Sequence, residues 1–156
     1  MLNLSIIRQL EGFNINIEFG AKSSSITSIY GRSGSGKTSI IEMIAGLQMP
    51  DKGFIKIDDD ILLDTDQKIN IPPEKRGLGY IFQDSRLFPH LNVEGNLLYG
   101  LNVNIANTPQ ITFDSVVDIL EIRPLLNRKP SSLSGGEKFL ASLAMALGTP
   151  TVEMVK

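Results

Sequence analysis

Over residues 13–19 apolar and polar positions alternate. Phe13, Ile15, Ile17 and Phe19 share one side and Asn14, Asn16 and Glu18 the other, the period of a half-buried strand. Residues 2–7 have the same short, Ile- and Leu-rich character, and 25–30 (SITSIY) predict a further strand that runs straight into Gly31. After Lys37 the period lengthens. Ile40, Ile41, Ile44 and Leu47 are expected on one helical face, with Gly46 and Pro50 ending the helix. Residues 53–63 (GFIKIDDDILL) predict a hairpin with Asp58, Asp59 and Asp60 at its turn. Pro72 and Pro73 break the chain ahead of a predicted strand at 77–82. A short helix is predicted near 93–100, a polar loop over 102–110, and a helix over about 113–122 that buries Phe113, Val116, Val117 and Leu120. A loop over 128–134 leads to a last helix, 135–147, which Gly148 and Pro150 stop. There is no internal repeat, low-complexity tract or obvious linker.

A chain of 156 residues with 42% apolar content is expected to build a buried core. The net charge of −2 gives no bulk electrostatic case for nucleic acid. There is no cysteine, so disulfides and Cys-metal sites are excluded, which fits the cytosol. The N-terminus lacks the basic and apolar regions of a secretory signal, and no apolar run approaches the ~18 residues of a membrane helix. Membrane association is therefore expected only through a partner. The Asp58–Asp60 run reads as a turn, because no further ligand follows at calcium-loop spacing.

Residues 31–38 read GRSGSGKT, which matches G-x-x-x-x-G-K-[ST] at every fixed position. Strand, glycine loop and helix are the context this loop requires. Gly31, Gly34 and Gly36 let the backbone curl around an anion, and the freed N–H groups point at phosphates. Lys37 is expected to reach the β- and γ-phosphates of a nucleotide, and the Thr38 hydroxyl to bind Mg2+. A second motif, Ser134-Gly135-Gly136-Glu137, opens the last helix. Alone it is a capping box, with Ser134 at the N-cap and Glu137 three residues on.

The order of phosphate loop, a predicted strand ending at Gln83, and LSGGE resembles the ATP-binding cassette (ABC) proteins. PPEKRGLGYIFQDSRLFPHLNVEGNLLYG (72–100) and EIRPLLNRKPSSLSGGEK (121–138) resemble the ATPase subunits of bacterial molybdate importers, and the resemblance runs from the N-terminus to about Lys138. It implies an α/β P-loop fold of the ABC nucleotide-binding type, with an antiparallel β subdomain and a helical subdomain. The expected division is a phosphate-loop core with β subdomain over 1–82, a helical subdomain over 83–134, and a signature helix with divergent tail over 135–156.

The resemblance also implies roles. ATP would be held by Gly31, Arg32, Ser33, Gly34, Ser35, Gly36, Lys37, Thr38 and Ser39. Gln83 would contact Mg2+ and the attacking water, and relay nucleotide state to a transmembrane permease. Ser134, Gly135, Gly136 and Glu137 would face the γ-phosphate of ATP on a second, head-to-tail copy. Phe88, Pro89 and His90 would lie in the permease-facing segment, with His90 at the surface. Phe13 is a candidate to stack on adenine, although its alternation with Ile15 and Ile17 favours a core position. A periplasmic anion-binding protein would be an indirect partner, at the cytoplasmic face of the bacterial inner membrane.

After Lys138 the pattern departs from the family. FLASLAMALGTPTVEMVK replaces the usual Gln-Arg and arginine-bearing helix, and puts Phe139, Leu140, Leu143 and Met145 on a normally polar face. No strand ending in Asp-Glu follows, and no switch histidine. The central sheet is expected to be incomplete, with an unpaired edge, and hydrolysis to be deficient. A non-catalytic ATP-binding module, regulatory or dominant-negative, is the alternative. A small P-loop kinase is a third reading, opposed by LSGGE and the Gln83 segment.

Overall fold

The computed structural model describes residues 1–10, 12–102 and 112–147. The chain forms two compact units, residues 1–76 and 77–156. The first holds a five-stranded antiparallel sheet ordered β2-β1-β3-β4-β5. Its strands are β1 (Leu2–Leu10), β2 (Phe13–Ala21), β3 (Lys52–Ile57), β4 (Asp60–Asp64) and β5 (Ile69–Asn70). Register follows the apolar alternation. Leu4 stands opposite Phe19 and Ile55, and Ile6 opposite Ile17 and Gly53. Leu4, Ile6, Ile15, Ile55, Ile57, Leu62 and Leu63 are buried. Gly53 is obligatory at its position: its φ is +122°, and a Cβ would stand 1.9 Å from the Ser5 carbonyl oxygen. The hairpin turns at Asp58 and Asp59, with Asp58 at φ +51°, so the acidic run forms the expected turn.

An α-helix of this unit, α1 (Lys37–Ala45), ends at Gly46 in the left-handed conformation. It buries Ile40, Met43 and Ala45. Two residues expected on that face, Ile41 and Leu47, are exposed. Ile41 lies a quarter turn from Ile40, and Leu47 follows the Gly46 cap, so the helical period no longer carries it.

The second unit is helical: α2 (Val93–Asn102), α3 (Phe113–Ile119) and α4 (Gly135–Leu147). Val93, Leu97, Val116, Val117, Ile122, Leu133, Ala141 and Ala144 form its core. α3 stops short of the expected 122 because Leu120 caps it and Glu121 turns left-handed at φ +53°. On α4, Phe139 is exposed as expected, but Leu140 packs on the core. Met145 lines an apolar groove with Tyr80, Ile81 and Phe82. The 102–110 loop, apart from Asn102, and the helix stop at Gly148 and Pro150 lie outside the described residues.

Two predicted strands are not strands. Residues 26–30 and 78–82 carry no ladder among the described residues. Ile26 and Tyr30 are fully exposed. A parallel strand exists only where neighbours flank it, and the described strands all belong to the antiparallel sheet. No central parallel sheet is present among the described residues.

Candidate nucleotide site

The phosphate loop is built by conformation before chemistry. Gly34 has φ +78° and Gly36 φ +85°, a region that side-chain-bearing residues rarely enter. Gly36 is also closely approached: a Cβ there would lie 2.8 Å from Ile15 Cδ1 and 3.1 Å from Phe13 Cε2. A turn closes the loop, with the Ser35 N–H donating to the Arg32 carbonyl at 3.2 Å. Gly36 serves as the N-cap of α1 without a side-chain cap, and no acidic residue occupies the first turn. The positive end of this helix therefore keeps its partial charge, and the first-turn N–H groups of Lys37, Thr38 and Ser39 have no intrahelical acceptor. Gly31 to Ser35 and Thr38 are exposed. The Lys37 ammonium donates to the carbonyls of Gly31 (2.9 Å) and Arg32 (2.6 Å), folded back over its own loop. Phe13 corrects an expectation: it is 38% exposed and lies against the loop instead of in the core.

In the other unit, Ser134 and Glu137 form the expected capping box. The Ser134 N–H donates to Glu137 Oε2 at 2.7 Å, and the Glu137 N–H to Ser134 Oγ at 3.3 Å. The Ser134 amide first, then its hydroxyl and the Arg128 guanidinium, hold the Glu137 carboxyl below the usual carboxylate range. A Cβ on Gly135 or Gly136 would meet nothing within 4 Å. No packing inside the described residues requires glycine at either position. Gln83 sits at an exposed turn whose Phe82 carbonyl accepts the Ser85 N–H at 3.0 Å. The Arg86 guanidinium lies 4.1 Å over the Phe82 ring. His90 is exposed and meets Phe88 edge-on, as expected for a surface residue. Among the described residues no cluster of three or more His, Cys, Asp or Glu could hold a metal. A magnesium ion would then depend on nucleotide oxygens and exposed oxygen donors such as the Thr38 hydroxyl, which suit a hard cation.

Three positioning residues escaped the sequence reading. Arg76 is completely buried, and its guanidinium donates to the carbonyls of Met43 (2.9 Å), Ile44 (2.7 Å) and Ile71 (2.7 Å) and to Asn70 Oδ1 (3.0 Å). It ties down the C-terminal end of α1, and burial lowers its pKa from the ordinary value. Asn96, also fully buried, accepts the Phe88 N–H at 2.7 Å and donates to the carbonyls of Phe88 (3.2 Å) and Asn92 (2.9 Å), fixing the segment before His90. Its signal was present: a polar residue between Val93 and Leu97 on an apolar face must find hydrogen bonds. Arg128 is the third, bonded to Glu137.

The ABC transporter family model matches residues 15–151. This chain belongs to the ABC transporter family. Its relatives include the molybdenum import ATP-binding protein ModC of Pectobacterium atrosepticum, 46% identical over 96% of this chain. The protein of the same name from Vibrio parahaemolyticus is 49% identical over 86%. The chain spans 41% and 35% of the lengths of these two relatives. Among solved structures, the ABC fold matches the dimeric ATP-binding cassette MJ0796, captured in a post-hydrolysis state with ADP and Pi. The TM-score is 0.72 and the identity 25%, over 95% of this chain and 69% of that one. The antiparallel sheet and the helical unit of this ABC chain are thus those of an ABC nucleotide-binding domain. No helix among the described residues is long and apolar enough to cross a membrane.

Proposed function

We propose that this chain binds ATP at residues 31–38 and serves as the ATP-binding part of an importer for molybdate. The carrying observation is the uncapped, acid-free N-terminus of α1 behind the Gly34 and Gly36 turns, a site for an anion. Lys37 leaves the Gly31 and Arg32 carbonyls and donates to the β- and γ-phosphates. Gly31, Arg32, Ser33, Gly34, Ser35 and Ser39 line the phosphates, and Phe13 stacks on the base beside Gly36. Mg2+, held by the Thr38 hydroxyl and the phosphates, neutralises charge on the nucleotide. The open amides of Gly135 and Gly136, with Ser134, meet the γ-phosphate of ATP bound to a second copy, arranged head to tail. Gln83 and the Phe88–His90 segment face a membrane permease at the cytoplasmic side of the inner membrane, and a periplasmic protein delivers the anion. The substrate follows the printed function of the molybdenum-import relatives.

Isothermal titration with ATP and Mg2+ is the test. The native chain binds, and Lys37→Ala loses about 100-fold, the worth of two charge-assisted bonds. Equal affinity in the two proteins refutes the assignment of the phosphate loop.

A further inference from the structure

Two glycines at the start of α4 leave bare amides for an anion, yet the same helix turn already carries a carboxylate. Glu137 occupies the Ser134 N–H, and its negative charge stands one turn from where a phosphate would arrive. Arg128 resolves the conflict. Its Nη1 donates to Glu137 Oε1 at 2.9 Å, and its Nη2 donates to the Ser132 carbonyl. The guanidinium thereby bridges the loop before the motif to the carboxylate inside it. The carboxylate is spread over two fixed partners: Oε2 takes the Ser134 N–H and Oε1 the arginine. No acceptor for the Gly135 and Gly136 N–H groups appears among the described residues. Helices leave these first-turn donors without intrahelical partners.

We propose that Arg128 is the positioning residue of the signature turn: it pins and neutralises Glu137, so that an anionic phosphate can reach the Gly135 and Gly136 amides. The phosphate half of this inference rests on the ATP-sandwich reading above; the pinning half stands on the turn alone. Lysine at the same place would neutralise the charge but could not span both acceptors with a planar fork.

The test uses the full chain as native protein, Arg128→Gln, Arg128→Lys, and Arg128→Gln combined with Glu137→Gln. The first readout is amide exchange at Ser134 and Glu137 without nucleotide. Arg128→Gln should raise both rates by about tenfold and leave Ala144 in the core of the unit unchanged, with Arg128→Lys in between. Unchanged rates at Ser134 overturn the pinning. The second readout is ATP-driven self-association by sedimentation, beside ATP affinity of the monomer. Arg128→Gln should weaken association by about tenfold with monomer affinity intact. Adding Glu137→Gln should restore it, since glutamine still caps Ser134 but needs no neutralising. A double variant no better than Arg128→Gln overturns the electrostatic role. A native chain that binds ATP but never self-associates overturns the sandwich reading and the phosphate half with it, while the exchange data still judge the pinning.

Discussion

Replacing Arg76 by alanine is expected to cost roughly 3–5 kcal/mol of folding stability. Four acceptors lose their donor at once: the carbonyls of Met43, Ile44 and Ile71 and the Asn70 side chain. Hydrogen bonds from a charged donor contribute about 1.5–3 kcal/mol each, so simple addition would reach ~6–12. That sum overstates the loss. Only the bond to Met43 is fully buried, and water entering the vacated space can satisfy the other three acceptors in part. The Met43 carbonyl is left with the full desolvation cost, ~1–3 kcal/mol, and the remainder comes from partial losses and the hole. With ~2 kcal/mol per molar urea, the midpoint should fall by about 2 M. Urea unfolding by circular dichroism measures it, with amide exchange at Gly46 and Leu47 as the local report on the end of α1. Lysine should recover little, because one ammonium cannot serve carbonyls arranged around a fork. Lys75→Ala, next door and exposed, should stay within ~0.5 kcal/mol. A loss under ~1 kcal/mol for Arg76→Ala, or full recovery by lysine, would refute the reasoning.

Gly46→Ala attacks the same junction from the other side: φ is +83°, and the new methyl would stand 2.6 Å from Arg76 Nε, so a loss of about 2–4 kcal/mol is expected in the same urea assay. Gly36→Ala should abolish measurable ATP binding by calorimetry while the sheet remains folded by circular dichroism, because the loop cannot keep φ +85° beside Ile15. Asn96→Leu, with the same branching and number of side-chain heavy atoms, should cost about 2–4 kcal/mol, since it strands the N–H and carbonyl of Phe88; a neutral result in urea unfolding would sink that account. The depressed Glu137 carboxyl sets a sign for pH: its contribution is present above the unfolded value of 4.5 and is lost as pH falls through the lower folded value. A carboxyl carbon titration by NMR should give a midpoint below that of a free glutamate, and a higher one in Arg128→Gln.

Local signals carried much of the architecture. The alternation of Phe13 to Phe19 and the Asp58-Asp59 turn became β2 and the β3–β4 hairpin, and the apolar periods of 93–100 and 135–147 became α2 and α4. The two hairpins pair with sequence neighbours, and each helix carries its apolar face within its own length, so a window of a dozen residues holds the relevant pattern. The segments 25–30 and 77–82 have equally strand-like composition, yet strand formation is decided by what lies alongside, which composition does not report. The phosphate loop and the capping box were legible because their chemistry is written in consecutive residues. Arg76 was not, because its acceptors lie on α1, on β5 and just after β5, and nothing about an arginine after Pro72-Pro73 announces burial. Phe13 misled for a related reason: its period with Ile15 was right, but the face it belongs to runs under Gly36 at an open end of the strand.

The two helix N-termini proposed to meet phosphate solve one electrostatic problem in opposite ways. α1 begins with no side-chain cap and no acid, so its partial positive charge and the Lys37 ammonium are both available to an anion, and the loop carbonyls of Gly31 and Arg32 hold the lysine meanwhile. That arrangement is suited to strong binding, and its cost is a helix end left uncapped. α4 begins with a complete capping box, which secures the helix but brings a carboxylate to the place where charge must be kept low. Arg128 cancels that charge without occupying the Gly135 and Gly136 amides. A turn so balanced attracts phosphate less strongly than the bare end of α1, and it holds its shape without a ligand. The expected consequence is an order of events in which ATP settles on the phosphate loop of one copy before the signature turn of another can close over it.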